Sequence, residues 1–276
     1  MNNLHRELAP ISDAAWAQIE EEVTRTFKRH LAGRRAVDVR GPAGTGLSAV
    51  GTGHLREIAT PGDGVHGRQR EVKPLVELRV PYELERQMID DVERGANDSD
   101  WEPAKIAARR LAFAEDGAIF VGYSAAGIVG ICEGTSNPKK TLPGDVSQYP
   151  QAIAEALSQL RTAGVNGPYT VLLGADAYTA LAETSDYGYP VLEHVKRLVG
   201  ERSEDKIIWA PGIPGAVVLT TRGGDFELHI GQDTSIGYLS HTDSTVRLYL
   251  QETFTFLLLT TEAAVALAPP AAKKKR

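Results

Sequence analysis

The segment GPAGTGLS, residues 41–48, has the glycine spacing of a phosphate-binding loop. In that motif backbone N–H groups cradle the phosphates, a lysine reaches them, and a serine or threonine holds the magnesium ion. Ser48 is present, but Leu47 stands where the lysine belongs. The glycines and prolines that follow also exclude the helix whose N-terminus would face the phosphates. The segment is therefore predicted to be a glycine-rich turn rather than a nucleotide site.

No other stretch combines residue types and spacing that would support catalysis. The segment GYSAAG, 122–127, has one residue too many for the Gly-x-Ser-x-Gly turn that presents a nucleophilic serine, so it is predicted to be a plain turn. The seven histidines are scattered, with neither a His-Glu-x-x-His nor a Cys-x-x-Cys pair of metal ligands. We therefore predict no catalytic residue, no metal site and no cofactor, and a protein that binds or builds rather than an enzyme.

The composition limits the class of protein. The 276 residues are 42% hydrophobic, enough for a sizeable core, and the net charge of -6 argues against nucleic-acid binding, which needs a broad basic face. The single cysteine, Cys132, fits a reducing compartment. The first residues contain no apolar run of signal-peptide length, and no stretch approaches the roughly 20 apolar residues of a membrane span. These features predict a cytoplasmic protein that binds neither nucleic acid nor a membrane.

An amphipathic helix is predicted over residues 12–31. Ser12 or Asp13 can cap its first turn. Apolar side chains recur along it at three- and four-residue steps, at Trp16, Ile19, Val23, Phe27 and Leu31. The pattern leaves two alternatives open: the apolar face packs on the protein's own core, or it offers a groove to a partner.

A long glycine-rich segment, 40–73, follows with few large apolar residues. Strand-like sequences bound it on both sides, AVDV at 36–39 and PLVELRV at 74–80. Structureless loops of this length are unusual inside a compact domain and tend to be functional or mobile. The segment is predicted to be either disordered or an extended two-stranded arm.

The rest of the chain divides into a helical middle, an α/β region and a region of strands. Helices are predicted at 81–94 and 102–116, and 133–222 alternates strands with helices. From residue 246 apolar side chains occupy every second position, which predicts a long half-buried strand with one carboxylate, Glu252, on its apolar side. That carboxylate needs a partner or a bulge that turns it outward, and we favour this structural explanation over a catalytic one.

Taken in order, these segments resemble one family, the encapsulins, which are shell-forming proteins of bacteria. The resemblance covers about residues 1–265 and is carried by LAPISDAAWAQIEEE, GRRAVDVRGP, PLVELRVPYEL, GPYTVLLG, GGDFELHIGQDTSIGY and VRLYLQETFTF. It implies an α+β chain with the Hong Kong 97-type fold of tailed-phage major capsid proteins. The branch it resembles is the one once described as linocin-type bacteriocins.

The family's fold implies how the chain is divided. It assigns 1–44 to the N-terminal helix and the start of the peripheral domain, 45–73 to the E-loop, 74–132 and 223–267 to the peripheral domain, 133–222 to the axial domain, and 268–276 to a disordered basic tail. In the family the E-loop lies across a neighbouring subunit, so Leu47 is expected to contact a neighbouring subunit. The resemblance further implies self-assembly into an icosahedral nanocompartment, most simply of about sixty copies.

Encapsulin shells enclose cargo enzymes whose short C-terminal targeting peptide docks on the inner wall. The resemblance implies a dye-decolorising peroxidase as cargo, with a ferritin-like protein as the alternative. Carried over by position, the cargo-peptide-binding residues are Phe27, Leu31, Arg34, Val37, Asp38, Ile230, Asp233 and Ile236. Simpler alternatives stay open: core packing for the two apolar helix residues, an intrachain pair for the arginine and the first aspartate, and turn formation for the last two.

The loop ETSDYGYP falls where the family places its five-fold pore. Asp186, Tyr187, Gly188 and Tyr189 would ring a narrow opening for small solutes, unless the loop is a packed interface without a gating role. Two other functions stay open from the sequence: a bacteriocin-like or peptidase activity, and a phage-type capsid protein.

Overall fold

The computed structural model describes residues 3–200 and 207–270. Its helices are α1 (Asp13–His30), α2 (Arg86–Glu93), α3 (Glu102–Phe120), α4 (Ile131–Gly134), α5 (Tyr149–Thr162), α6 (Ala175–Glu183) and α7 (Val191–Val199). Its strands are β1 (Asp38–Arg40), β2 (Ala49–Ile58), β3 (Gly67–Pro74), β4 (Val76–Glu85), β5 (Gly122–Tyr123), β6 (Ile128–Val129), β7 (Lys140–Thr141), β8 (Tyr169–Leu173), β9 (Ser185–Asp186), β10 (Tyr189–Pro190), β11 (Ile207–Trp209), β12 (Ala216–Thr220), β13 (Phe226–Ile230), β14 (Ser235–His241), β15 (Thr245–Leu258) and β16 (Ala264–Ala268). None of the helices in the two described ranges has the length and apolar composition needed to cross a bilayer. Residues 271–276, the basic end of the predicted tail, lie outside the described residues.

Helix α1 begins where the sequence supplies a cap. The Ser12 hydroxyl accepts a hydrogen bond from the Ala15 amide at 3.3 Å, which satisfies one of the N–H groups that a first helical turn leaves unpaired. Ile19, Val23 and Phe27 are buried on the face that the periodicity indicates, and this face packs against α3. The predicted amphipathic helix is confirmed.

The first sheet is built around β15, which is long enough to pair with three other strands. β4 runs antiparallel along one edge of β15, while β14 and β13 follow one another along the other edge, and β1 pairs with β13. The predicted apolar face is present, since Val246, Leu248 and Leu250 are buried in one cluster with side chains of α1 and α3. The prediction that β15 is only half-buried is wrong, because Tyr249, Gln251 and Thr255 on its other side are buried as well. Helices α1 and α3 on one face of the sheet form the first core.

The second sheet has the strand order β11-β8-β12-β16-β7. β8 and β12 are buried at every position, as central strands with both faces covered should be. Residues 223–267 are predicted as one peripheral segment; within this range β16 pairs antiparallel with β12, and its first four residues are buried there. The last strand therefore returns to the sheet of the 133–222 region, because its apolar AVAL run completes that core.

The helix predicted over 81–94 is wrong in its first third. Residues 81–85 continue β4, because Tyr82 and Leu84 alternate with exposed neighbours and point into the first core. Helix α2 accordingly begins only at Arg86. The second predicted helix, 102–116, is present and runs on to Phe120.

β2 and β3 form an antiparallel hairpin that belongs to neither sheet and is here called the arm. Of the two alternatives for 40–73, the two-stranded arm is the one found. Leu55, Ile58 and Val72 on the arm are about half exposed, at 53%, 46% and 53%. The arm thus carries apolar side chains that no core of its own chain covers.

Candidate functional site

A groove of about 700 Å³ runs along α1. One wall is α1 itself, and the other is formed by Leu4 near the start of the chain and by 233–236, where the chain turns into β14. The floor includes Val23, Phe27 and Leu31, which are also packed in the first core. The groove therefore has an apolar floor whose side chains are packed into the first core.

The groove contains most of the residues that the family resemblance selects. Five of the eight predicted peptide-binding residues line it, namely Phe27, Leu31, Arg34, Asp233 and Ile236. The residues from α1 and the segment after it lie about 200 positions before Asp233 and Ile236. The first sheet brings these two sets of residues together. The alternatives left open for the apolar helix residues are not exclusive, because the same side chains belong to the core and form the groove floor.

The other three predicted residues lie elsewhere. Val37 and Asp38 line a separate cavity of about 190 Å³, where the Asp38 carboxylate accepts a hydrogen bond from the Gly224 amide at 2.5 Å. Ile230 is 2% exposed and belongs to the core beneath the second sheet. Arg34 and Asp38 do not form the intrachain pair considered as the simpler alternative, since each bonds to other partners.

Several residues that line the groove, among them Val23, Thr24 and Leu4, are not among the predicted peptide-binding residues. Val23 and Thr24 lie one turn before Phe27 on the same helix face, so helical periodicity could have included them. Leu4 offered no such signal. Its carbonyl accepts a hydrogen bond from the Tyr238 amide at 2.8 Å, a contact between opposite ends of the chain that only the folded structure reveals.

Arg34 is the central charged group of the groove wall. Its guanidinium donates to both Glu115 oxygens at 2.9 and 2.6 Å, and to the Asp233 carboxylate at 2.8 Å. A longer contact of 3.5 Å reaches Glu252. Burial lowers the pKa of Arg34, but its bonds to Glu115 and Asp233 outweigh burial and raise the pKa above its ordinary value. The side chain is thus a permanent cation that joins α3, β15 and the turn into β14.

Two of the surrounding carboxyl groups resist ionisation. Burial raises the pKa of Glu252 well above its ordinary value, and the neighbouring Glu115 raises it further, while Arg34 acts in the opposite direction. Burial also raises the pKa of Asp116 to about 7, although its carboxylate accepts hydrogen bonds from the Ala32 and Gly33 amides. The sequence left open whether Glu252 has a partner or is turned outward by a bulge. The structure supplies a partner, Arg34.

The predicted pore residues form a tight hairpin between β9 and β10. Its two turn residues, Tyr187 and Gly188, have φ of 46° and 80°, as in the two-residue turns that suit the twist of a hairpin. Tyr187 is fully exposed, whereas the Tyr189 ring packs on His194 with centroids 4.7 Å apart. Asp186 is partly buried in β9. The hairpin therefore projects one ring into solvent and holds the other against α7.

The glycine-rich segment at 41–48 is a turn, as predicted. Gly41 and Gly44 have φ of 108° and 87°, and the Gly44 amide donates to the Gly231 carbonyl at 2.7 Å. The extended strand β2 follows where a phosphate site would need a helix. The segment GYSAAG likewise forms the turn between β5 and β6. Across 3–200 and 207–270 no group of three or more His, Cys, Asp or Glu side chains is arranged to hold a metal ion.

Comparison with known proteins places the whole chain among shell proteins. The Linocin_M18 family model, described as encapsulating protein for peroxidase, matches residues 1–255. The chain is 59% identical over 268 residues to the type 1 encapsulin shell protein of Rhodococcus erythropolis, which covers 97% of this chain and 100% of that protein. It is 60% identical over 268 residues to the type 1 encapsulin shell protein of Mycobacterium tuberculosis, with the same coverage.

Solved structures of much lower identity share the fold. The virus-like particle from Pyrococcus furiosus matches with a TM-score of 0.64 and 16% identity, over 91% of this chain and 98% of that chain. A chain from Gordonia phage Cozz matches with a TM-score of 0.53 and 14% identity, over 87% of both. The predicted α+β fold of the Hong Kong 97 type is confirmed.

The Arg34 contacts predict a large stability difference between two arginine substitutions. Arg34→Met leaves the fully buried Glu115 without its cation, which should lower the free energy of unfolding by about 3–5 kcal/mol. Arg40→Met is the matched control, because Arg40 is 57% exposed in its pair with Glu227 and should contribute at most about 1 kcal/mol. Urea denaturation at neutral pH measures both. Equal destabilisation by the two substitutions would refute the buried-pair interpretation.

Proposed function

The chain belongs to the type 1 encapsulin shell proteins, and from this premise we propose that it self-assembles into a closed icosahedral cage, most simply of about sixty copies. The observation that carries the proposal is the arm. β2 and β3 contribute to neither core, yet Leu55, Val65 and Val72 expose half of their apolar surface. In a closed shell each arm lies on a neighbouring subunit, which covers that surface.

Closure also explains why the arm does not cause uncontrolled polymerisation. A two-stranded ribbon presents unpaired backbone groups at its edges, and such edges join other chains readily. In a closed point group every copy gives one arm and receives one, so no unmatched edge remains. The glycine turn at 41–48 lets the arm leave its own subunit, and the half-buried Leu47 at its root contacts the neighbour.

The groove along α1 is proposed as the docking site for cargo. An apolar floor with a charged wall suits an extended peptide whose aliphatic side chains enter the slot while Arg34 and Asp233 fix its polar groups. The family's description as an encapsulating protein for peroxidase supports a peroxidase cargo, here a dye-decolorising peroxidase, with a ferritin-like protein as the alternative. The shell itself performs no catalysis in this proposal and works as a nanocompartment in the cytoplasm.

The hairpin at 185–190 is proposed to line the five-fold pore. Five copies of Tyr187 would surround the axis, because its ring is fully exposed at the tip of the hairpin. Asp186 behind it would favour cations in the opening. Small substrates and products of the cargo would pass here, while the folded cargo stays inside.

The arm predicts how assembly fails. The double substitution Leu55→Asp and Val72→Asp adds charge to surface that is exposed in the single subunit and buried in the shell, so assembly should be lost while the subunit stays folded. Size-exclusion chromatography with negative-stain microscopy measures particle formation, and circular dichroism checks the fold. If the unsubstituted protein itself elutes as a monomer or dimer, the shell proposal is wrong.

Filling the groove should exclude cargo without disturbing the shell. Thr24 is exposed on the groove wall, and Thr24→Trp places an indole in the slot at little cost to the helix. Peptide affinity should fall about tenfold or more, since even 1.4 kcal/mol of lost contact has that effect. Glu21→Trp adds the same ring to exposed α1 surface outside the groove. Cargo per subunit, read from denaturing gels of co-expressed shells, should drop only in the first variant, and equal loading in both would count against the docking site.

Pore diameter should respond to Tyr187. Tyr187→Gly removes the projecting rings and suits the positive φ at this position, so the hairpin should persist while small solutes enter faster. The oxidation rate of a dilute small substrate by loaded shells reports entry. Tyr123→Gly, a partly exposed tyrosine on the β5–β6 hairpin, serves as control. An equal rate change in both variants would argue against a pore at 185–190.

A further inference from the structure

A group of acids around one base lies directly behind the groove wall. This acid cluster consists of Arg34, Glu115, Asp116, Asp233 and Glu252. Glu115, Asp116 and Glu252 are at most 1% exposed, whereas Asp233 reaches the surface with 46% of its side chain exposed. Arg34 pairs with Glu115, Asp233 and Glu252, while the Asp116 carboxylate accepts hydrogen bonds from backbone amides. The docking of a peptide requires none of these buried acids, so their presence needs another explanation.

Glu115 and Glu252 lie close together around one nitrogen of the Arg34 guanidinium. Arg34 Nη2 lies 2.6 Å from a Glu115 oxygen and 3.5 Å from a Glu252 oxygen. Two carboxylates have only acceptor atoms, so a hydrogen bond joins them only when one is protonated. Glu252 is the group with unused capacity, because its Oε1 is buried and finds no hydrogen-bond partner among the described residues. Glu115 is fully engaged with Arg34. The proton therefore belongs to Glu252.

Within the part of the chain that the structure describes, Arg34 is the cation that pairs with the acids of the cluster. The segment that follows α1 contributes Arg34, α3 contributes Glu115 and Asp116, β15 contributes Glu252, and the turn into β14 contributes Asp233. If Glu252 ionises, it adds an anion to a buried site where the carboxylates already outnumber the single guanidinium. The direction of the pKa shift agrees with this geometry, since burial and the neighbouring Glu115 both raise the pKa of Glu252.

The acid cluster and the groove share residues. Arg34, Asp233 and Thr234 line the groove, and each of them is bonded within the cluster. Thr234 donates to the Glu252 carboxyl at 3.3 Å, and Arg34 reaches the same oxygen. If Glu252 ionises, its carboxylate can be solvated only if the groove wall moves or water enters beneath the wall.

We propose that Glu115 and Glu252 are positioning residues of the groove, and that the proton they share locks the wall formed by 31–34 and 231–236. The effect of the lock on cargo rests on the proposed docking function: a locked wall holds the cargo peptide, and an unlocked wall releases it. The lock itself is a property of the shell subunit.

The sign of the pH dependence follows from linkage. A group whose pKa is raised in the closed wall binds an extra proton there, so its stabilising effect is complete below its ordinary pKa and is lost as the pH rises through the raised pKa. Opening of the wall should therefore increase with pH, by up to about tenfold per pH unit within that window. Ionisation of Asp116 should also increase opening of the wall as the pH rises, but its contribution is complete near its own pKa of about 7.

Hydrogen–deuterium exchange of assembled shells tests the lock without any cargo. Exchange of peptides covering 31–36 and 231–236, corrected for the intrinsic pH dependence, should show opening that rises with pH above the ordinary pKa of a glutamate in the unsubstituted protein. Glu252→Gln keeps the shape of the protonated acid but cannot lose a proton, so its opening should stay low across this range apart from the share of Asp116. Glu83→Gln, on the exposed face of β4, should keep the original profile.

Two variants separate the possible outcomes. An unchanged slope in Glu252→Gln overturns the proposal, and a slope that disappears in Asp116→Asn but not in Glu252→Gln assigns the effect to Asp116 instead. Loss of the slope in Glu252→Gln alone supports the shared proton. Cargo loading of Thr24→Trp shells distinguishes the docking function: a pH-dependent wall with undiminished loading keeps the lock and refutes docking in the groove, whereas lost loading with a pH-independent wall refutes the lock alone.

Discussion

The burial of Glu115 determines how the segment after α1 packs against the turn into β14. A carboxylate inside the core needs a cation, and Arg34 is the residue that reaches it with two charge-assisted hydrogen bonds. Because Arg34 comes directly after α1, this pair fixes the end of that helix against α3. The same guanidinium holds Asp233, so the turn into β14 lies beside the helix end. The groove is the space that remains between these two fixed walls.

A purely apolar contact would stabilise the same junction at lower cost in desolvation. It would not, however, fix direction, since apolar side chains slide and repack where a bidentate ion pair does not. The distinction matters for the proposed docking of a peptide, because the position of the groove wall depends on where α1 ends. The charged junction with a protonated Glu252 trades stability for a defined wall. Its position beneath the proposed docking groove is consistent with that role.

Local patterns predicted the elements, and tertiary contacts explain what they missed. The periodicity of α1, the alternation in β15 and the glycine-rich arm each follow from residue spacing alone. Glu252 was identified as a misfit because one carboxylate interrupts an apolar face. By contrast, Glu115 lies in an alanine-rich helix where nothing in the spacing marks it as buried, and Leu4 joins the groove from the opposite end of the chain. The boundary at 81–85 failed because alternating charged and apolar residues fit a strand and one helical turn equally well.

The exposed apolar side chains of the arm are not explained by contacts within a single subunit. Half-exposed aliphatic residues on a ribbon outside both cores are an unfavourable surface for a single subunit in water. The sequence that leads into the arm is glycine-rich because Gly41 and Gly44 must adopt positive φ for the chain to leave the first sheet. In the proposed shell the missing contacts lie in other copies, which would explain why such a segment is retained. On that proposal, the spacing that mimics a phosphate loop follows from the turn that leads into the arm.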